Sequence, residues 1–436
     1  MNRAPASLIT YNLLQLIALP AAPLFLLYLA SRKKYRSQIL QRMGLGISNS
    51  NLKGKRPTFW IHALSVGELN AATPLIEAIL TKWPDAGLVC SSTTATGTEA
   101  LQKRFEKKAD ILLRPPFDFW ITVKKSVDAI KPDIFILTET DVWPNWLWYL
   151  KKRGTYMIFA NASLSSKAAR KIQKSHSASL LYGSFDIITP QSKDDLARFS
   201  AVGVGLNKLK FLGNLKYDRK MPHMPEDEKK EWRKELGLSK DIPILVFGST
   251  HPGEEEIILQ ALAELYGHIP FQAIIAPRKP ERGREVARIA SRHGFDAALR
   301  SLGQRPESGA KNVIILDTLG ELLKCYGVAH IAFVGGSLVN IGGHNLLEAA
   351  HYRIPVLFGP YVESTRDVAR ALLKHKGGME ISTSRQLKKA LAALLSNKVL
   401  YDEYGASARR VAEEFSGSLS KHINLIEEGL KLKGFN

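Results

Sequence analysis

The chain has 436 residues, 45% of them hydrophobic and 23% charged, which is enough for two domains with cores of their own and argues against a large disordered region. Its 61 Lys and Arg against 41 Asp and Glu leave a net charge of +20, which calls for a nucleic acid, an anionic membrane or a polyanionic substrate. No helix-turn-helix, RRM or zinc signature supports nucleic acid, and the two cysteines, Cys90 and Cys325, lie outside any C-x-x-C pattern, which argues against a disulfide framework and fits a reducing compartment.

Tyr11 to Ala30 is a run of about twenty residues without a charge, near the length of a bilayer-crossing helix. The dense cluster Ser31-Arg32-Lys33-Lys34-Tyr35-Arg36 follows it, and only Arg3 precedes it, the reverse of a cleaved signal peptide. Residues 1–36 therefore read as one N-terminal membrane anchor with a basic flank, and the positive-inside rule puts the body in the cytoplasm. Pro20 and Pro23 weaken a straight span, which leaves a kinked or monotopic anchor open.

From Thr58 short apolar runs alternate with amphipathic segments. The runs are Thr58 to Ala63, Gly87 to Ser91, Asp133 to Leu137, Thr155 to Ala160 and Asp186 to Thr189; the segments include Leu69 to Lys82, Ile121 to Ile130 and Asp194 to Ala201. This βα repetition predicts a parallel sheet flanked by helices, with ligands at the carboxyl ends of the strands. Polar residues collect at those ends: His62 with Ser65-Val66-Gly67-Glu68, Thr93 to Gly97, Glu139-Thr140-Asp141, and Asn161-Ala162-Ser163.

A charged segment, Arg219 to Glu231, suits a linker. A second βα series follows, with strands at Ile244 to Gly248, Phe271 to Ala276, Asn312 to Leu316, Ala329 to Val334 and Ile354 to Phe358. After Val334 the chain breaks at Gly335 and Gly336, stays irregular through Gly342 and Gly343, and is expected to restart as a helix at Asn345, followed three residues later by Glu348. A glycine loop that opens on a helix N-terminus predicts an anion site, although the spacing is neither the dinucleotide fingerprint nor a P-loop. The tail from Leu387 to Leu432 reads as amphipathic helix.

Several residues carry two readings. Glu68, at a helix head and a strand end, suits a general base or an ordinary first-turn carboxylate. Glu139 and Asp141 suit acid–base work or a cation, against a helix cap. Trp143, Trp146 and Trp148 suit core or interface, or an apolar or sugar-binding surface. Pro277-Arg278-Lys279-Pro280 suits a phosphate or carboxylate clamp, against a solvated turn. Glu254-Glu255-Glu256 reads as first-turn charge. No cluster has metal-ligand spacing, so no metal is expected.

Together these segments resemble the Kdo transferases of lipopolysaccharide assembly, 3-deoxy-D-manno-octulosonic acid transferases with a GT-B fold. The resemblance rests on Trp60-Ile61-His62-Ala63, Ser65-Val66-Gly67-Glu68, Thr94 with Thr96-Gly97, Glu139 to Asn145, Gly213-Asn214-Leu215-Lys216, Gly248-Ser249-Thr250-His251, Ala276-Pro277-Arg278, Leu319-Gly320-Glu321, and the glycine-rich stretch ending at Glu348. Any one is weak, whereas all of them in this order are specific.

The resemblance implies an α/β GT-B chain of two Rossmann-like domains facing a cleft: an acceptor domain at 37–220, a donor domain at 221–405, and a helical tail at 406–436 packing back on the first. It implies inverting, metal-independent transfer of Kdo from CMP-Kdo to a lipid A precursor, lipid IVA, at the inner membrane, with no cofactor and no nucleic acid. Glu68 matches the family's general base, and Glu139 and Lys216 match positions that support the transition state. Pro277, Arg278, Leu319, Gly320, Glu321, Asn345, Leu346, Leu347 and Glu348 correspond to the CMP pocket. Three places depart from the family pattern: Lys279 stands for a histidine, Ser163 for an arginine, and Ser364-Thr365 for Asn-Phe.

Overall fold

The computed structural model describes residues 5–31, 36, 39–218, 221–305 and 311–435. The chain forms two compact units, one of Met1–Arg219 with Gly417–Asn436 and one of Lys220–Ser416.

The first unit is built on a parallel sheet of β1 (Thr58–Ala63), β2 (Gly87–Ser92), β3 (Ile111–Leu113), β4 (Ile134–Thr138), β5 (Tyr156–Ala162) and β6 (Ile187–Pro190), in the order β3-β2-β1-β4-β5-β6. Alternation along β1 shows why the runs are apolar throughout. Phe59 and Ile61 enter one core with Leu75 and Ile76 of the helix Val66–Lys82 and Ile426 of the C-terminal helix Ser418–Leu432. Trp60 enters the opposite core with Phe135 and Trp146. Both faces are covered, so neither face of the strand carries an exposed polar stripe. The order places the topological switch between β1 and β4, where a doubly wound sheet opens a crevice at its carboxyl edge.

The second unit carries the parallel strands β7 (Ile244–Thr250), β8 (Gln272–Pro277), β9 (Asp296–Leu299), β10 (Asn312–Ile315), β11 (Ile331–Val334), β12 (Val356–Phe358) and β13 (Gly378–Glu380), ordered β13-β12-β11-β7-β8-β10-β9. Its switch lies between β11 and β7. Loops after β11, β7, β8 and β10 are therefore neighbours along one rim, and these are the loops expected to hold the donor.

Three strands escape the sequence reading, β3, β9 and β13. Each is three or four residues long and stands at a sheet edge, too short to show a period. The tail boundary also moves. Residue 406 falls inside the continuous helix Lys398–Glu414, whose Ala408 and Val411 are buried, so the segment that joins the first unit starts at Gly417.

The N-terminal run differs from a single span. It forms the helices Ala6–Ala18 and Ala22–Ser31, broken at the turn Leu19–Ala21, where Pro20 lacks the N–H a continuous helix needs. Among the described residues no helix is long and apolar enough to cross a membrane. The basic flank at 32–35 lies outside the described residues. The first helix is also turned unusually: Leu8, Tyr11, Asn12 and Gln15 face the body, and Ile9, Leu13, Leu14, Leu16 and Ile17 are exposed. Tyr11 donates to Asp118 at 3.1 Å, Asn12 to Asn145 Oδ1 at 2.9 Å, and Gln15 to the Asp118 carbonyl at 3.0 Å. Polar residues bind this helix to the protein while its apolar face looks outward.

Candidate active site

In the first unit, Ser65 caps the helix Val66–Lys82 by accepting the Glu68 N–H, which holds Glu68 at the β1 end of the switch. Glu68 is only 6% exposed. Its Oε2 accepts the Leu64 N–H at 2.6 Å, and its Oε1 accepts the Thr140 hydroxyl. Burial raises its pKa to about 7; the Thr140 and Leu64 hydrogen bonds oppose the rise, and the nearby charges of Glu139 and Asp141 add to it. The carboxylate thus takes part in shaping the helix start, as the plainer reading has it, and is also held at the pKa of a physiological base.

Across the switch, Glu139 (φ 58°) and Asp141 (φ 74°) follow β4 in the left-handed region. Two non-glycine residues so close together in this region mark a turn over-determined by its surroundings. Asp141 does not cap the helix Pro144–Lys152. Instead its Oδ2 accepts from His62 Nε2 at 2.8 Å and Thr93 Oγ1 at 2.6 Å, and its Oδ1 from Trp143 Nε1 at 2.8 Å. Burial pushes Asp141 up, but these donors outweigh it and hold the carboxyl below the usual range. Glu139 bonds Lys216, with Nζ to Oε1 at 2.9 Å, and accepts from Asn161 Nδ2 at 3.2 Å. Glu68, Glu139 and Lys216 therefore share one region of the first unit, with Asp141 and His62 beside them. Trp146 belongs to the core, Trp143 is partly exposed, and Trp148 lies under Lys152. Ser163, a departure from the family pattern, accepts from Gln191 Nε2 at 3.0 Å.

The second unit corrects the expected anion site. The glycine loop after β11 does converge its N–H groups, but on an internal anion. Glu254, fully buried, accepts from His251 N (2.8 Å) and Gly336 N (2.8 Å) through Oε2, and from Ser337 N (3.0 Å) and Leu338 N (2.8 Å) through Oε1. Gly335 is required, since a Cβ there would lie 2.8 Å from Glu254 Oε2 and 2.5 Å from the Ser249 carbonyl. Glu255 is buried too, accepting from Thr250 Oγ1 at 2.9 Å and Arg282 Nη1 at 2.7 Å. These two glutamates are structural keystones rather than solvated first-turn charges.

The helix after the glycines begins at Leu347, not Asn345, and lasts one turn to Ala350. Asn345 Oδ1 accepts the Leu347 N–H at 3.1 Å. Leu346 and Leu347 are buried in the core, and Pro277 is buried at the end of β8. Burial raises the hydroxyls of Tyr326 and Tyr352, and the charge of Glu348 adds to both rises.

Arg278 and Lys279 are exposed on the next loop. Two groups that the sequence reading quotes within motifs but gives no role stand near Arg278: His251 and His344, stacked with Nε2 atoms 2.9 Å apart. Burial, then His251 and Arg278, lower His344 to about 4. Burial also lowers His251, with Arg278 adding to the effect. Both shifts favour neutral imidazoles beside Arg278. Farther along the rim, Leu319 is exposed, Gly320 has open space around its Cα, and Glu321 is held by Arg300 at 2.9 Å and by Thr318. The remaining departures, Ser364 and Thr365, lie against the glycine loop; Ser364 N donates to the Gly342 carbonyl at 2.9 Å. Among the described residues no group of three or more His, Cys, Asp or Glu side chains is arranged to hold a metal.

Residues 37–219 match the family described as 3-deoxy-D-manno-octulosonic-acid transferase. Over 429 residues the chain is 30% identical to the 3-deoxy-D-manno-octulosonic acid transferase of Haemophilus influenzae, covering 97% of this chain and 98% of that protein. It is 30% identical over 336 residues to the transferase of the same name from Chlamydophila psittaci, 76% of each chain. Among solved structures, a glycosyltransferase from Rickettsia africae aligns with 87% of this chain and 99% of its own at 13% identity, TM-score 0.56. UDP-GlcNAc 2-epimerase from Neisseria meningitidis aligns with 86% of this chain and 99% of its own, also at 13% identity and TM-score 0.56. These two share the arrangement of two parallel-sheet domains seen in GT-B glycosyltransferases.

Proposed function

The chain belongs to the 3-deoxy-D-manno-octulosonic acid (Kdo) transferases, glycosyltransferases of lipopolysaccharide biosynthesis, and from that premise we propose that it moves Kdo from CMP-Kdo to a lipid A precursor, lipid IVA, with inversion at the anomeric carbon. One observation carries the mechanism: a buried carboxylate at the β1/β4 switch, Glu68, with its pKa raised to about 7.

The acceptor hydroxyl takes a lone pair of Glu68 left by Thr140 and Leu64 and gives up its proton to the carboxylate as its oxygen bonds the anomeric carbon. The bond from that carbon to the phosphate oxygen breaks, and CMP leaves with the electron pair. A phosphate monoester dianion is a good leaving group, so the donor side needs positive charge more than an acid. Arg278 is assigned to the CMP phosphate, with the Pro277 and Leu319–Glu321 loops and the Asn345–Glu348 turn around the nucleotide. Lys216, held by Glu139, is assigned to anionic charge in the transition state. No metal or cofactor is assigned to the step.

The outward apolar face of the helix Ala6–Ala18 supports attachment to the inner membrane, with the helix lying in the interface and the body on the cytoplasmic side. A basic protein at that surface gains from anionic headgroups and from the phosphates of its acceptor.

The test is to incubate the full chain in detergent with freshly generated CMP-Kdo and a tetraacylated lipid A precursor, and weigh the lipid product by mass spectrometry. Addition of Kdo is expected, and the number of units added reads processivity. No addition from CMP-Kdo, with transfer from a UDP-sugar instead, overturns the donor assignment.

A further inference from the structure

A fully buried file of polar groups in the first unit, unused by the proposed step, ends at the Glu139–Lys216 pair. Its far end is His422 on the C-terminal helix, 1% exposed, whose Nε2 lies 2.8 Å from Thr189 Oγ1, 233 residues away in sequence.

The hydrogen bonds fix the direction of the file. The Ser418 carbonyl can only accept, so the one hydrogen of a neutral His422 ring is on Nδ1, which donates to it at 2.7 Å, and Nε2 accepts from Thr189 Oγ1. Thr189 Oγ1 in turn accepts the Asn161 N–H at 3.1 Å, and the Phe159 carbonyl lies 3.4 Å away as a second acceptor for its hydrogen. Burial lowers His422 to about 4, in keeping with a neutral ring. Asn161 is the next member. It interrupts β5 with φ 53° where the pairing to β6 shifts register, a backbone state that its neighbours must hold in place. Its Oδ1 accepts the Leu215 N–H at 3.0 Å, and its Nδ2 donates to Glu139 Oε1 at 3.2 Å. The segment that carries Lys216 is therefore tied at Leu215 to Asn161. It is tied again to the C-terminal helix through Asp218, which accepts from Gly417 N at 2.6 Å and from Leu419 N.

We propose that His422 and Thr189 are positioning residues for transfer: through Asn161 they set the orientation of Glu139 and the register of Lys216. The inference rests on the functional reading above. A buried Thr–His pair adds little to stability that an apolar pair of the same shape would not, so what it supplies is direction. Without Thr189 Oγ1 the Asn161 N–H is unpaired, and without His422 Nε2 the Thr189 hydroxyl is left to turn toward the Phe159 carbonyl; either change loosens the hold on the left-handed Asn161 and misplaces its carboxamide.

The variants are His422→Leu, Thr189→Val and His422→Gln in the full chain, assayed with CMP-Kdo and the lipid A precursor. His422→Leu and Thr189→Val are expected to lower kcat about tenfold with the KM for CMP-Kdo unchanged. His422→Gln, whose carboxamide oxygen can accept from Thr189, is expected to restore most of the rate. The decisive step adds His422→Leu to Lys216→Ala. If His422 acts through Lys216 and Glu139, the second change costs less than about twofold; effects that multiply overturn the proposal. Full kcat in a folded His422→Leu enzyme overturns it as well. Should His422→Leu fail to fold, the same cycle is run with Thr189→Val, which is nearly isosteric. A wild-type enzyme that transfers no Kdo overturns the functional reading, and this one with it.

Discussion

Both units put polar residues at the carboxyl ends of parallel strands, and in each a strand is interrupted at a register shift by a non-glycine residue in the left-handed region, Asn161 in β5 and Ser249 in β7. They differ in how the buried carboxylate there is used. Glu254 accepts four backbone N–H groups and closes the glycine loop at the β11/β7 switch. Glu68, at the β1/β4 switch, accepts one backbone N–H and one hydroxyl and stands near two more carboxylates. A carboxylate saturated by donors is committed to structure, whereas one with few donors and like-charged neighbours is kept ready to take a proton.

The comparison is broken most severely by exchanging the oxygen that takes the proton. Glu68→Gln is expected to lower turnover about 10³-fold while CMP affinity, measured by calorimetry, stays within about twofold. Glu254→Ala is expected to act on folding instead. It leaves buried N–H groups unpaired, so urea unfolding followed by Trp232 fluorescence in the second unit should show a loss on the order of 3 kcal/mol, with CMP binding lost alongside. Arg278→Ala is expected to weaken CMP binding by about tenfold to a hundredfold without moving the pH profile; unchanged affinity would remove Arg278 from the clamp.

Smaller effects sharpen the contrast. Glu68's pKa is raised from 4.5 to about 7, so kcat/KM should rise with pH through about 7 as the carboxylate forms. The sign for stability is opposite: protonated Glu68 favours the folded state in acid, and that contribution is lost as pH rises through about 7. The Thr140 hydrogen bond lowers this pKa, so Thr140→Val should move the inflection of the rate profile to higher pH. The smallest effect expected is at the outward helix face, where Leu13→Asp with Ile17→Asp should reduce binding to anionic vesicles several-fold and leave activity in detergent nearly unchanged.

Much of this was legible in the sequence. The strands that fill both cores announce themselves as apolar runs, and His62, Glu68, Glu139 and Asp141 stand where βα logic puts ligands. What was hidden depends on pairing across the chain. Nothing local to Glu254 says that its carboxylate fills the glycine loop more than 80 residues later, and the same four glycines read naturally as a phosphate nest. His422 carries no motif, and its role comes from the C-terminal helix returning to β5 and β6. The N-terminal run shows the converse, a composition that promises a single span and a proline that divides it.

The central claim is that Glu68 is the base, and the most direct measurement is a single-turnover assay of wild type and Glu68→Gln at saturating CMP-Kdo and lipid A precursor, with the lipid weighed at each time. The account predicts Kdo addition by wild type and almost none by Glu68→Gln, in a protein that still binds CMP and melts at the wild-type temperature. A folded Glu68→Gln enzyme that adds Kdo at near the wild-type rate would contradict it, and the base would have to be sought elsewhere.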